Sequence, residues 1–157
     1  SCHLLNTANV TGNEVFTNYR YHNIGVPENP EARALAPASV EFPDLGLFQH
    51  PDINDAAAKG KFKVPSLRNV AVTAPYMHNG VFKDLKTAVH FYNQFIVNNH
   101  STRTNPETNK PWRPPEIKDN ISHELLRQGQ PMDEQRLEAI VAFLKTLTDK
   151  RYEPLLQ

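Results

Sequence analysis

Cys2 and His3 are the residues at which this sequence first offers chemistry, and Cys2 is the only cysteine among 157 residues. A Cys followed directly by His is the second half of Cys-x-x-Cys-His, the attachment site of c-type haem. There the two thiols form thioethers with the haem vinyl groups, and the His becomes the proximal ligand of the iron. The first Cys of such a motif would fall just ahead of Ser1. A Cys-His pair also arises by chance, as a free thiol beside an unrelated imidazole. The other residues that could do chemistry are scattered. His22, His50, His90, His100 and His123 form no His-x-x-x-His pair of the kind zinc uses, and they read as surface residues. His90 falls off the apolar stripe of its predicted helix. Trp112 lies in a proline-rich stretch, where a covering or interface role fits better than electron hopping. No Ser-His-Asp arrangement, phosphate loop or basic aromatic patch stands out.

The elements that must position Cys2 and His3 follow from pattern and composition. Lys+Arg and Asp+Glu balance at 17 each, so no basic field exists to attract nucleic acid. Hydrophobic residues make up 39%, enough for one modest core, and 157 residues suit a single domain, 1–157. Thirteen prolines predict much irregular structure. No apolar run approaches the ~20 residues that span a bilayer. The sequence starts without Met or a leader pattern, which points to a processed product or a fragment.

Leu85, Ala88, Val89, Tyr92, Phe95 and Ile96 fall at helical spacing, with Asp84 as N-cap, and predict a helix over 84–97. Leu137, Ile140, Val141, Leu144 and Leu147 predict a second over 133–148, with Asp133 and Glu134 suited to its first turn. Residues 1–10 could form a short helix. Residues 12–25 alternate enough for a hairpin or an extended excursion. Asp55 to Lys59 reads as a short helix stopped by Gly60. Pro27 to Pro43 and 100–115 read as loops. No run of buried strands stands out, so the fold class is mainly α with long loops.

The segment from Gly60 to Gly80 contains Val64-Pro-Ser-Leu-Arg-Asn-Val70 and Thr73-Ala-Pro-Tyr-Met-His-Asn-Gly80. These runs resemble the C-terminal haem domain of the bacterial di-haem cytochrome c peroxidase and MauG family. Leu85-Lys-Thr-Ala-Val89, the closing Glu138 to Leu147 helix and Tyr21-His-Asn-Ile-Gly25 extend the resemblance over nearly the whole chain. It implies an all-α, cytochrome c-like haem domain with long irregular loops. It further implies a periplasmic oxidoreductase, in which an N-terminal haem reacts with hydrogen peroxide and the C-terminal haem exchanges electrons with it. The partners would be that N-terminal haem domain and a redox protein or small electron donor. A stand-alone mono-haem cytochrome and a haem-free helical interaction domain are the alternatives.

The resemblance assigns roles. Cys2 becomes the thioether anchor of haem c and His3 the proximal ligand. For the distal ligand, Met77 and His78 are chemically able. Met77 occupies a turn position where family members also carry Phe, so it fits packing better and serves as the fallback. Tyr92 stands where peroxidases carry the ligating Met and MauG-like members a ligating Tyr. It shares a helix face with Leu85 and Val89. The competing reading is an ordinary core tyrosine. Arg68 and His78 could contact haem propionates or the haem edge, or brace their turns. The carbonyls of Thr73 and Pro75 match family calcium ligands, whose remaining partners would lie in the N-terminal domain.

Overall fold

Four helices and two short β-pairings are spaced along the described residues, 2–5, 14–40 and 42–156, of a computed structural model. In chain order they are β1 (Tyr21–His22), α1 (Pro30–Leu35), β2 (Phe62–Lys63), α2 (Leu85–Asn93), β3 (Thr104–Asn105), β4 (Lys110–Pro111), α3 (His123–Leu126) and α4 (Glu134–Thr146). Single 3-10 turns, such as Val70–Val72 and Ser101–Arg103, punctuate the connections. β1 pairs antiparallel with β2, and β3 with β4.

The two strongly periodic segments are the two core helices. Asp84 accepts the Lys86 amide, as the predicted cap, and Asp133, expected in the first turn, instead caps its helix by accepting the Arg136 amide. α2 packs against α4, and Lys86 bridges them through ion pairs with Glu134 and Glu138. Leu85, Ala88 and Phe91 of α2 and Leu144 of α4 join Val26, Tyr76 and Phe82 in the core.

α2 ends at Asn93, short of the predicted 97. The Asn93 carbonyl is shared by the Ile96 and Val97 amides, the bifurcated pattern of a helix end. The buried Asn93 side chain also leaves the helix register. Its Nδ2 donates to the Met132 carbonyl at 2.6 Å, and its Oδ1 accepts the Met132 amide at 3.1 Å. One side chain thereby ties the end of α2 to the entry of α4.

Other expectations shift. Cys2–Leu5 is irregular rather than helical, and the rest of the 1–10 expectation lies outside the described residues. The 12–25 segment forms no local hairpin within its described part, because β1 pairs with the distant β2. Within the proline-punctuated stretch, Asn29 caps α1 and Pro30 starts it, a position where its missing N–H costs nothing. Ala56–Ala58 is a single 3-10 turn capped by Asp55. Gly60 follows at φ +73°, where an added Cβ would meet Ile117 and Asn23 atoms at 2.7 Å. The 100–115 loop contains the β3–β4 pairing. Its Glu107 accepts the Lys83 and Asp84 amides at 3.0 and 2.9 Å, fixing the approach to α2.

His90 is not a surface residue. It is buried on α2, and its Nε2 lies 3.1 Å from the Ser101 carbonyl. The physical reason is the 98–115 segment, which folds back against α2 through the Ser101–Arg103 turn. Phe91, 1% exposed and absent from the predicted stripe, is enclosed in the same way. Trp112 covers it edge-on at 5.3 Å and donates its indole N–H to the Thr102 carbonyl.

Replacing Asn93 with Leu would leave the half-buried Met132 amide and carbonyl both without this partner. The expected cost is about 2–3 kcal/mol. Urea unfolding monitored by circular dichroism should show a lower midpoint at unchanged slope.

Candidate functional site

Cys2 is a half-buried free thiol whose pKa burial pushes up. The Asn18 amide donates to its carbonyl at 3.0 Å, which brings the Cys-His pair beside the 14–18 segment. The Nδ1 of His3 lies 2.9 Å from the Phe16 carbonyl. A carbonyl only accepts, so Nδ1 carries the proton and Nε2 keeps its lone pair. Burial lowers the His3 pKa, with the Phe16 hydrogen bond partly opposing, so the imidazole is neutral at neutral pH. A neutral imidazole with one nitrogen tied to a backbone carbonyl is the usual state of a metal-ligating histidine.

Tyr92, on the last full turn of α2, is half-buried. Burial pushes its phenol up to about 12, and negative charge at Cys2 adds to the shift. Cys2 therefore lies within electrostatic reach of Tyr92. Open apolar surface flanks His3 and Phe16. Leu4 and Leu5 follow His3 in the chain at 44% and 64% exposure, and Phe143 of α4, 49% exposed, meets Phe16 edge-on at 6.0 Å.

These features fit haem c. The chain offers a thiol for a thioether, a neutral imidazole with a lone pair on Nε2, and a phenol, together with exposed apolar side chains. Among the described residues, no group of three or more His, Cys, Asp or Glu side chains offers a separate metal site.

The remaining predicted site residues stand apart from this set. Arg68 is exposed and uses its Nε on the Glu14 carbonyl at 2.7 Å. Met77 has φ +71° and packs against the core cluster that includes Tyr76 and Phe82. Thr73 and Pro75 are exposed in their turn, and the Thr73 hydroxyl donates to the Val70 carbonyl. His78 stacks on Phe62 with ring centroids 3.5 Å apart and planes within 10° of parallel. Desolvation of that imidazole pushes its pKa down to about 4, with Asp44 partly opposing. The residue as a whole stays open to solvent. His22, on β1, is half-buried with its Nε2 unpartnered, and burial, Lys61 and Arg20 lower its pKa.

Sequence reasoning missed Glu14 and Phe16, which shape the carbonyl that holds His3, and Asn93, which fixes the helix carrying Tyr92. Phe16 sits at φ +52° with no glycine to announce it. Only Asn93 left a local signal, an amide at the end of an otherwise apolar run.

The His78 pKa has a consequence for stability. Its folded value, about 4, lies below the ordinary 6.5, so the unfolded chain binds more protons between these pH values. The stabilisation is complete above pH 6.5 and is lost as pH falls toward 4. Thermal melts across this window should fall less steeply for His78→Phe than for the native chain.

No family model matches the chain. It is 51% identical to the methylamine utilization protein MauG of Paracoccus denitrificans (strain Pd 1222), over 99% of this chain and 40% of that protein. It is 39% identical to the cytochrome-c peroxidase IdrP2 of Denitromonas iodatirespirans, over 46% of this chain and 24% of that protein. The fold matches the crystal structure of the diheme peroxidase BthA from Burkholderia thailandensis E264. The TM-score is 0.61 at 26% identity, covering 99% of this chain and 40% of BthA. The chain therefore spans less than half the length of these relatives. A match of 51% identity that spans 99% of the chain, on a shared fold, fits a domain of the MauG and cytochrome c peroxidase family.

Proposed function

We propose that the chain is the C-terminal, cytochrome c-like haem domain of a periplasmic di-haem oxidoreductase, and that it exchanges electrons with a peroxide-reacting haem in an N-terminal domain. The observation that carries this reading is the state of His3. Its Nδ1 is committed to the Phe16 carbonyl, which leaves the lone pair on Nε2, and the only cysteine stands beside it. Cys2 would hold haem c through a thioether and His3 would be its proximal ligand. When bound, haem supplies a one-electron iron couple.

Tyr92 is the proposed distal ligand. Its desolvated phenol keeps its proton in the haem-free chain. Bound as phenolate it is a hard, anionic oxygen donor, which favours the ferric state over the ferrous. Met77 is occupied in packing, which supports Tyr92 over the fallback. The domain's own residues thus bind the group, orient its ligands and set its potential. The substrate oxidised or reduced by the whole protein is read from relatives named as peroxidases and as MauG. A redox protein or small electron donor completes the circuit.

The carbonyls of Thr73 and Pro75 are proposed as part of a calcium site shared with the N-terminal domain. Calcium takes six to eight oxygens, so these two supply a minority of the shell. Among the described residues no helix is long and apolar enough to cross a membrane.

Tyr92→Phe in the haem-loaded protein should convert a low-spin ferric spectrum to a five-coordinate or water-ligated one. An unchanged visible and EPR spectrum would remove Tyr92 as ligand and return Met77 or His78 to the position. The di-haem reading has its own check. The full-length protein should turn over peroxide, whereas the isolated domain should not, and equal activity in both would contradict the assignment.

A further inference from the structure

Phe16 adopts φ +52°, a conformation that costs a bulky residue energy and persists only when its surroundings enforce it. Those surroundings are specific. Glu14 Oε1 accepts the Val15 and Phe16 amides, each at 3.0 Å. The Ser66 hydroxyl donates to the Val15 carbonyl at 2.9 Å, and the Leu67 amide donates to the same oxygen at 3.3 Å. Arg68 Nε donates to the Glu14 carbonyl at 2.7 Å. The Thr17 hydroxyl donates to the Val64 carbonyl at 2.8 Å. The carbonyls of Glu14 and Val15 are thus clamped by residues 66–68, and that of Phe16 is left to receive His3 Nδ1 at 2.9 Å.

We propose that Arg68 is a positioning residue for His3: through its Nε it anchors the left-handed Phe16 turn, and so aims the carbonyl that fixes the tautomer and ring orientation of His3. This rests on reading His3 as the proximal ligand. It differs from a direct charge contact between Arg68 and a haem propionate, because the group at work is one N–H and not the positive charge. The guanidinium also faces Asp149, whose pKa it helps to lower behind the larger effect of Arg151. Strengthening the Nδ1–H bond gives imidazole more anionic character and makes it a stronger donor to iron. Loosening the turn should therefore weaken the donor and favour the reduced state.

Two conservative variants of the haem-loaded, full-length protein separate the N–H from the charge. Arg68→Gln places an amide nitrogen at the position of Nε and removes the charge. Arg68→Lys keeps the charge and has carbon at that position. The readout is solvent exchange of the hyperfine-shifted His3 Nδ1 proton in the ferric protein, followed by NMR. Exchange should quicken about tenfold in Arg68→Lys and stay native in Arg68→Gln. The same change on the equilibrium between oxidised and reduced haem would raise its potential by about 59 mV in Arg68→Lys alone. The reverse pattern, equal effects in both variants, or no effect in either would overturn the role of Arg68. A His3→Met variant with an unaltered haem spectrum would instead overturn the ligand assignment. If that variant changes the spectrum while Arg68→Lys matches the native protein, only the role of Arg68 fails.

Discussion

Backbone amides and carbonyls that leave water must find partners, and this fold has few ladders in which to find them. Its strands are two residues long, and much of the chain between the helices is irregular. Side-chain amides supply what a sheet would. Asn23, 4% exposed, donates to the carbonyls of Ile117 and Asp119 and accepts the Gly25 amide. Asn69 donates its backbone N–H to the Leu147 carbonyl and accepts the Asp149 amide on its side chain, joining the Leu-Arg-Asn run to the end of α4. Asn93 does the same between α2 and α4. An amide suits this task because it offers a donor and an acceptor on one short, uncharged stem.

The candidate site inherits its order from these cross-links. Tyr92 sits on a helix pinned at its start by Glu107 and at its end by Asn93. His3 lies in an irregular segment, yet its imidazole meets a carbonyl whose neighbours are held from the 64–68 run. Candidate ligands on an irregular segment and on a helix can share one geometry only if the intervening loops are fixed to the same frame. The Asn69 link closes that frame, since residues 66–68 are contiguous with it and it is bonded to the turn after α4.

Much of this was legible in order of sequence locality. α2 and α4, and the cap at Asp84, follow from apolar spacing and side-chain chemistry within a few residues. The glycine stop at Gly60 did too. What could not be read depends on partners far along the chain. Whether His90 faces water is decided by Ser101 and the loop that carries it. Arg68 looked equally suited to a propionate or to a local brace, and its Nε contact spans 54 residues to Glu14. α1 was hidden because prolines signal loops more strongly than a six-residue helix signals itself. Cys2, His3 and Tyr92 are legible as candidates for haem attachment and ligation only through family resemblance, since chance produces a Cys-His pair and a core tyrosine readily.

The turn after Tyr76 also carries a slow chemical clock. Asn79 precedes Gly80, a pairing in which the side-chain amide can cyclise onto the next backbone nitrogen with no Cβ in the way. Here both reacting groups are engaged. Asn79 Nδ2 donates to the Pro27 carbonyl at 2.8 Å, its Oδ1 accepts the Val81 amide, and the Gly80 amide donates to the Met77 carbonyl. Deamidation therefore requires the turn to open first. When it happens, a carboxylate replaces the donor facing the Pro27 carbonyl, and like meets like. The accumulation of aspartate and isoaspartate at residue 79 in an ageing sample would record how often this part of the molecule comes loose.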